Sequence, residues 1–392
     1  MLLCACSCGR DFDPLIGPPA HPLEDTCLYA RPGRSLVNDS QTQVSGARRV
    51  TLADVAAQAG VSMPTASKAL NNRADVAEAT RQQVLEVAQR LGYSPPPSRR
   101  PLQLPAIALV AQDLRSAYAL SIIDGAAEAS RAVGAVIAVT SANIPAVSRS
   151  TLQPLSEQWF IQLHRRDYLG VITTTTRLSV RQVSAAADNH LPVVSIDPTS
   201  PLPHGVVPVQ SANWEGALTA TEHLIGLGHR RIAVIGGPPA SIPAQDRFRG
   251  FLTAMRNHGL SPDRRLAARG AYVVKTGYLA GRQWFAMPPD ERPTAVFAGA
   301  DACAIGVHRA AHDTGLAVPE DLSIVGFDDV DIAAWTTPPL TTVQQPLKEM
   351  ASEAVRIILA RRQGDESVSH PVSRFPTRLI VRRSTTAPPS SR

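Results

Sequence analysis

Two groups of residues have the types that hold metal ions, but neither has the full spacing of a metal site. Cys4, Cys6 and Cys8 alternate with other residues, and thiolates bind soft metals such as zinc. No second pair of cysteine or histidine residues stands near them at a zinc-site spacing. The acidic run 328–331 lacks the glycine and the terminal glutamate of a calcium loop. We therefore expect neither a metal nor a cofactor.

The sequence also lacks the common motifs of catalysis. It contains no Gly-x-Ser-x-Gly elbow, no phosphate-binding P-loop and no zinc-binding His-Glu-x-x-His. Gly236-Gly237-Pro238 is a lone glycine turn without the spacing that binds a dinucleotide. The sequence therefore does not predict an enzyme.

A basic segment has the charge to bind phosphates. Residues 48–100 hold eight arginine and lysine residues against four acidic residues, which accounts for most of the net charge of +6 of the chain. Arginine and lysine side chains neutralise the phosphates of nucleic acids. This segment therefore predicts a nucleic-acid-binding surface.

Three short helices are predicted to position this charge. Thr51 opens a capping box, and the helix that follows ends at Gly60. Ser62 caps a second helix, and a third runs over 77–91. This spacing also fits an ordinary helical hairpin, but the basic charge favours a DNA-binding helix-turn-helix domain over residues 48–94.

The rest of the chain alternates short apolar runs with helical stretches. Runs that are apolar throughout are typical of strands buried on both faces of a parallel sheet. The runs lie at 106–111, 135–140, 169–173, 192–196, 231–235, 294–298 and 323–327. They form two groups and predict an α/β architecture of two doubly wound parallel sheets.

Composition sets the expected domain boundaries. At 392 residues the chain is too long for one core of ordinary size. Prolines mark a hinge at 95–105, followed by a large domain at 106–383. Residues 1–47 and 384–392 have no regular period and are expected to be disordered. Cysteines are scarce outside the N-terminal segment and no apolar run could span a bilayer, so we expect a cytoplasmic protein without a membrane partner.

Several distinctive motifs lie along residues 50–383. They include Val50-Thr51-Leu52-Ala53-Asp54-Val55-Ala56, Ala59-Gly60-Val61-Ser62, Lys68-Ala69-Leu70-Asn71-Asn72, Arg247-Phe248-Arg249-Gly250-Phe251 and Gly326-Phe327-Asp328-Asp329. These motifs resemble those of one family of regulators, the lactose-repressor (LacI) family. The resemblance implies an all-α headpiece, a hinge and a two-lobed periplasmic-binding-protein-like effector domain, usually dimeric. The lobes would be 106–211 plus 345–364, and 213–343 plus 372–383.

The resemblance also implies which residues read DNA bases. Met63, Pro64 and Lys68 occupy the base-facing positions of the recognition helix. Among these three, Lys68 alone offers hydrogen bonds, and lysine can donate to O6 and N7 of guanine, while Met63 can contact a thymine methyl group.

Four further positions are implied to touch phosphates or to cap helices. They are Thr51, Ser62, Thr65 and Asn71. For Thr51 and Ser62, local capping is at least as important as a DNA contact.

The hinge departs most from the family. In members of the family, a short hinge helix places a leucine in the minor groove of DNA, and Leu102 is the corresponding residue of this chain. Pro96 replaces an asparagine, and Pro101 would fall inside the helix, where proline removes a hydrogen bond. We expect an extended connector in which Arg99 and Arg100 reach phosphates. The alternative is that the hinge bends around its proline and Leu102 still enters the groove.

In the effector domain, the resemblance makes Arg247 the residue that grips ligand oxygens. Asp328 corresponds to the cleft carboxylate that accepts hydrogen bonds from hydroxyl groups. This charged pair suits a polyhydroxylated ligand such as a sugar. Tyr118 and Tyr272 could stack on a sugar ring or belong to the core.

One departure concerns the expected ligand site itself. The Asn-Asp dipeptide frequent in the family reads Ala300-Asp301 here, which keeps the carboxylate of Asp301 and removes an amide. The usual Asp-Asn after the first lobe becomes Ala212-Asn213. The identity of the ligand therefore does not follow from the resemblance.

Together these features predict a ligand-responsive, sequence-specific transcriptional regulator, a repressor of genes for sugars or related metabolites. Its partners would be double-stranded operator DNA, a small-molecule effector and a second copy of the chain. A sugar-uptake binding protein would share the two-lobed fold, but it would need an export signal and would lack a basic helix-turn-helix. We expect the ligand to shift the lobes and thereby the spacing of two headpieces on two half-sites.

Overall fold

The computed structural model describes residues 50–70, 73, 75–93, 104–143, 153–365 and 373–389. The chain forms two compact units that divide between residues 99 and 100. None of the described helices is long and apolar enough to cross a membrane.

The first unit contains the three helices that the sequence predicts, α1 (Leu52–Gln58), α2 (Met63–Leu70) and α3 (Glu78–Arg90). The Thr51 hydroxyl accepts a hydrogen bond from the amide of Asp54 (3.3 Å), and the Asp54 carboxylate accepts one from the amide of Thr51 (2.8 Å). This confirms the capping box. Gly60 makes the turn into α2 with a φ of 63°, a backbone conformation that glycine adopts freely. The helices enclose a small core that includes Val55, Ala66 and Val84.

The second unit begins with a six-stranded sheet in the order β11-β5-β4-β3-β1-β2, in which all strand pairs are parallel. Its strands are β1 (Ala106–Ala111), β2 (Val136–Ser141), β3 (Tyr168–Thr174), β4 (Val193–Ile196), β5 (Val206–Ser211) and β11 (Ser373–Phe375). Its helices are α4 (Ala117–Ala132), α5 (Glu157–Arg165), α6 (Val180–Asp188) and α12 (Leu347–Arg362). Apolar clusters cover both faces of the sheet, so this is the doubly wound sheet that the continuous apolar runs predict.

A second six-stranded sheet has the order β12-β10-β9-β8-β6-β7. Its strands are β6 (Ile232–Ile235), β7 (Ala267–Ala268), β8 (Ala295–Ala298), β9 (Ser323–Asp328), β10 (Thr341–Gln344) and β12 (Arg378–Ile380). Its helices are α7 (Asn213–Gly226), α8 (Ile242–Asn257), α9 (Val274–Phe285), α10 (Asp301–Asp313) and α11 (Ile332–Trp335). The strand pairs are parallel except that β12 runs antiparallel to β10. Two apolar clusters again cover the two faces.

In the described part, the chain passes between the two sheets three times. These crossings follow β5, β10 and β11. The amide of Ala212 donates to the carbonyl of Phe375 (2.8 Å), and the Thr377 hydroxyl donates to the carbonyl of Ala212 (3.2 Å). The Ser211 side chain is also hydrogen-bonded to that of Gln345 (2.5 Å). The three crossing segments are therefore tied to one another.

One expected lobe boundary is wrong. The sequence places 372–383 entirely in the second lobe, yet β11 pairs in parallel with β5 of the first sheet, and it is β12 that joins the second sheet. β11 and β12 have three residues each, too few to show a periodic pattern that would assign them to a sheet.

The disorder expected at 384–392 is also wrong for its first residues. The Ser384 hydroxyl donates to the carbonyl of Ile324 (2.6 Å) and accepts from the amide of Thr341 (2.8 Å). The Thr386 amide donates to the Ser323 hydroxyl (3.0 Å). Serine and threonine, which look like tail residues in the sequence, here satisfy polar groups at the end of the sheet. The predicted extension 1–47 and most of the hinge lie outside the described residues.

Candidate functional site

The exposed side of α2 carries the residues expected to read DNA bases. Met63, Pro64 and Lys68 are exposed, whereas Ala66 and Ala69 are buried against the other helices. About half of the Met63 side chain is accessible (52%). The helix thus presents one lysine and two apolar side chains to solvent, where they are free to contact another molecule.

Thr51, Ser62 and Thr65 all make hydrogen bonds near helix starts. Thr51 closes the capping box of α1, and the Ser62 hydroxyl accepts from the amide of Thr65 (3.3 Å) and is hydrogen-bonded to its hydroxyl (2.8 Å). The capping roles expected for Thr51 and Ser62 are therefore confirmed. Asn71, Arg99, Arg100 and Leu102 lie outside the described residues.

Lys68 has an ion-pair partner that the sequence did not reveal. Its Nζ lies 2.6 Å from Oδ2 of Asp75, which precedes α3. Both side chains are more than half exposed, at 53% and 57%. The hydrogen bond from Lys68 lowers the pKa of the Asp75 carboxyl below its ordinary value.

The second unit contains a cluster of buried charges centred on Arg247 of α8. Its Nε donates to Oδ1 of Asn213 (2.7 Å), and its Nη1 donates to the carbonyl of Gly299 (2.6 Å) and to Oδ1 of Asp328 (3.2 Å). The guanidinium also lies 3.9 Å from the centre of the Phe327 ring. A buried cation needs several such partners, since an unpaired one would lose its hydration without compensation.

Asp328 ends β9 with a φ of 119°, in the region that favours glycine. Backbone strain of this kind often marks functional positions. Its Oδ1 accepts from Arg247 and from Nε2 of Gln345 (2.7 Å). Burial raises the pKa of Asp328 to about 6, although Arg247 and Gln345 both favour the charged form.

The first lobe contributes a second carboxylate, that of Asp197, which follows β4. The Tyr118 hydroxyl donates to its Oδ2 (2.7 Å). Burial raises the pKa of Asp197, and the positive charge of Arg247 from the other lobe opposes this shift. Burial also raises the pKa of Tyr118, so its hydroxyl stays a donor. Tyr118 is therefore hydrogen-bonded to the cluster and also packs against the core of the first lobe.

Tyr272 belongs to the second lobe and lies at the edge of the cluster, next to Arg247. The Arg247 guanidinium lies 5.5 Å from its ring centre, and the ring packs against Gly237 and Gly299 so closely that a Cβ at either glycine would overlap it. Its hydroxyl is buried and makes no hydrogen bond to any described residue. Burial raises the pKa of this hydroxyl. An unsatisfied buried hydroxyl next to a polar cluster suits a ligand that brings its own partner atom.

Asp301 does not face this cluster in the way expected. It is fully buried at the start of α10, where its Oδ1 accepts from the Thr342 hydroxyl (2.5 Å) and its Oδ2 from the amide of Val330 (3.0 Å). Burial, followed by the negative charge of Asp328, raises its pKa well above the ordinary value. The geometry gives Asp301 an internal role that joins α10 to β10, and it does not support direct ligand contact.

Sequence reasoning missed two members of the cluster, Asp197 and Gln345, and it named Asn213 only as part of a departure from the family pattern. Asp197 had a usable signal, because it directly follows a predicted strand, and ligands of parallel sheets bind at the carboxyl ends of strands. Gln345 had none, since its partner Ser211 is 134 positions away.

The buried cluster between the two lobes has the polar groups that a polar ligand needs. The first lobe supplies Tyr118 and Asp197, the second supplies Arg247, Tyr272 and Asp328, and Gln345 links the two. The described residues contain no group of histidine, cysteine and acidic side chains that could hold a metal ion. Carboxylate acceptors and a buried cation can recognise hydroxyl and carbonyl groups on a ligand that touches both lobes.

Comparisons with known proteins agree with both units. Residues 51–96 match the family described as bacterial regulatory proteins, lacI family, and residues 221–385 match a periplasmic binding protein-like domain. The chain is 33% identical over 349 residues to the HTH-type transcriptional repressor CytR of Escherichia coli (strain K12), a match that covers 86% of this chain and 97% of CytR.

Two solved structures are similar over the same length. The transcriptional regulator CelR in complex with cellobiose is 29% identical, with a TM-score of 0.61 over 86% of this chain and 100% of CelR. The lac repressor dimer bound to operator and the anti-inducer ONPF is 25% identical, with a TM-score of 0.63 over 87% of this chain and 100% of that protein.

Proposed function

Because the chain belongs to the LacI family and is a ligand-responsive, DNA-binding transcriptional regulator, we propose that it represses genes for the use of a sugar or a related metabolite. The relatives are regulators, which also confirms the expectation that the chain is not an enzyme. The single observation that carries the proposal is that one chain combines a helix with an exposed lysine, in a basic three-helix unit, and a buried polar cluster to which two lobes contribute.

We assign operator recognition to α2. Lys68 would donate to guanine, and Met63 and Pro64 would make apolar contacts in the major groove. Thr51, Ser62 and Thr65 would add phosphate contacts from the helix starts at which they lie. Asn71, Arg99, Arg100 and Leu102 complete this proposed interface and rest on the sequence alone.

We assign effector binding to the cleft around Arg247 and Asp328, with Tyr118 and Tyr272 beside them. Asp197 and Asp328 accept hydrogen bonds, whereas several N–H groups of Arg247 already donate to other atoms of the protein. An acid-rich cleft with one cation favours an uncharged ligand with several hydroxyl groups over a phosphorylated one. The cellobiose complex of the similar CelR supports a sugar.

We also propose that the protein acts as a cytoplasmic homodimer. The lac repressor structure is a dimer on its operator. In the effector domain of this chain, large apolar side chains are more than half exposed at Leu120, Leu279 and Trp335. A second copy that covers part of this surface would remove apolar area from water.

Lys68→Ala tests the DNA-binding half of the proposal. We expect loss of operator selectivity, by about 1 to 3 kcal/mol, because Lys68 is the charged donor among the base-facing residues of α2. The preferred operator is first selected from a randomised double-stranded DNA library, and binding is then measured for operator and scrambled DNA. Arg90→Ala is the matched control, since it removes the same charge from the end of α3. An unchanged footprint and preferred sequence in Lys68→Ala would remove Lys68 from this role.

A further inference from the structure

The Lys68–Asp75 ion pair joins a residue of α2 to the segment that precedes α3. The amide of Arg73 donates to the carbonyl of Lys68 (3.0 Å), and Val76 next to Asp75 is buried in the headpiece core. The backbone of this segment is thus anchored on both sides of Asp75. Its carboxylate is held at the end of the Lys68 side chain, 2.6 Å from Nζ.

A comparison with a second ion pair of the headpiece indicates that the Lys68–Asp75 pair contributes little to the stability of the fold. Arg81 pairs with Glu78 and also donates to the carbonyls of Arg73 and Val76, and its side chain is only 18% exposed. Arg81 therefore holds the backbone of the segment in place. Lys68 and Asp75 are both open to solvent, where ion pairs add little to the free energy of folding.

We propose that Asp75 is a specificity-determining residue, which holds the Lys68 ammonium for base contact and lowers binding to DNA of the wrong sequence. This inference rests on the proposed operator-reading role of Lys68. A flexible lysine on the surface of a DNA-binding helix otherwise binds whichever phosphate it meets. Asp75 competes for that charge and is itself repelled by phosphates, so it weakens contacts that carry no sequence information.

Contacts of Lys68 with bases and contacts with phosphates depend differently on how firmly the side chain is held. Guanine offers two acceptors, O6 and N7, at a fixed position in the major groove, which a lysine held in one direction can meet. Phosphates are present on every sequence and reward a lysine that is free to move. Removal of Asp75 should therefore raise binding to scrambled DNA. On the operator, the gain in attraction to phosphates is offset by the loss of the direction that Asp75 gives to Lys68, so operator affinity should stay nearly unchanged.

The test is Asp75→Asn in the full chain, with binding to the selected operator and to scrambled DNA measured over a range of salt concentrations. Near 0.1 M salt, we expect affinity for scrambled DNA to rise about five- to tenfold, the effect of neutralising about one more phosphate, with a steeper salt dependence. Operator affinity should change by less than about twofold, so the ratio of the two affinities falls.

Two further variants make the result specific. Glu86→Gln removes the same charge from α3, where Glu86 pairs with Gln82, and it should leave the ratio near that of the wild type. Asp75→Glu keeps the charge and should restore most of the discrimination. Equal increases on both DNAs in Asp75→Asn, or a drop in the ratio as large in Glu86→Gln, would overturn the proposal.

The outcome also separates this inference from the proposed function. If Lys68→Ala keeps the preferred sequence, the operator-reading role of Lys68 itself is wrong. If Lys68→Ala loses selectivity while Asp75→Asn leaves the ratio of the two affinities unchanged, only the role proposed for Asp75 is wrong.

Discussion

At the scale of single residues, Arg247 and Asp328 form the charged centre of the cleft, and their surroundings affect them differently. Arg247 keeps its charge because Asp328 offsets the effect of burial and raises its pKa. Asp328 has a pKa raised to about 6, because burial outweighs the attraction of Arg247. The negative charge of the cleft therefore varies with pH near neutrality, whereas the positive charge does not.

This difference gives a prediction for Asp328→Asn. The pKa of Asp328 is higher in the folded protein than its ordinary value of 3.8, so it stabilises the fold at low pH. This contribution is fully present below about pH 4 and is lost as pH rises through about 6, a total of about 3 kcal/mol. We expect the free energy of unfolding of the wild type, relative to Asp328→Asn, to fall over this pH range and then to level off.

Urea unfolding followed by tryptophan fluorescence measures this difference, since Trp284 is buried in the same lobe as Asp328. The comparison with the variant cancels the contributions of titrating groups that do not interact with Asp328, such as His229, whose pKa burial lowers. A difference that stays constant from pH 4 to pH 7 would show that Asp328 titrates normally.

The sequence predicted Arg247 and Asp328 because both stand in motifs with a family pattern. It could not predict the surroundings that set their chemistry. Asn213, which accepts from Arg247, is 34 positions away, and Gln345 reaches Asp328 from the position directly after β10. It also could not predict that Asp301 is hydrogen-bonded inside the second lobe, because a carboxylate in a motif does not reveal whether its side chain points into a cleft or into the core.

At the scale of elements, α9 and α10 depend on glycine for their close approach. A Cβ at Gly277 of α9 would lie 1.9 Å from the carbonyl oxygen of Cys303 on α10. A Cβ at Gly306 of α10 would lie 2.1 Å from the carbonyl oxygen of Val274. Backbone atoms cannot move aside as a side chain can, so these two glycines fix the distance between the helices.

We therefore expect Gly277→Ala to destabilise the effector domain by at least about 1 to 3 kcal/mol through overpacking. Gly226→Ala is the matched control, because Gly226 ends α7, is exposed, and has no atom within 4 Å of an added Cβ. The control should be neutral or more stable by up to about 1 kcal/mol, the difference in helix propensity. Equal melting temperatures for the two variants would contradict the close packing of α9 and α10.

Elements with a strong pattern were predicted and short ones were missed. The seven apolar runs correspond to β1, β2, β3, β4, β6, β8 and β9. β5 contains Pro208, and β10 has the sequence Thr341-Thr342-Val343-Gln344, so neither reads as an apolar run. β2 was expected to be buried on both faces, but it is an edge strand with much of its surface accessible. An apolar run does not show where its strand lies in a sheet.

At the scale of the whole molecule, the effector domain has the connections that a ligand-driven movement of two lobes needs. Three crossing segments join the lobes and are hydrogen-bonded to one another, so the lobes can rotate only about this shared region. The charges of Asp197 and Arg247, which belong to different lobes, interact with each other. A ligand that binds both would favour one arrangement, and in a dimer this would set the spacing of the two headpieces.

The most direct test measures how tightly the protein binds its selected operator as the concentration of an effector is increased. The effector is the compound, from a panel of sugars and nucleosides, that most raises the melting temperature of the wild type. We expect it to change operator affinity about 5- to 150-fold in the wild type. Arg247→Ala should bind operator normally and lose this response, whereas the control Arg249→Ala, on the exposed side of α8, should keep it. A response of Arg247→Ala at wild-type ligand concentrations, or no response of the wild type to any stabilising compound, would contradict the proposed coupling between cleft and operator.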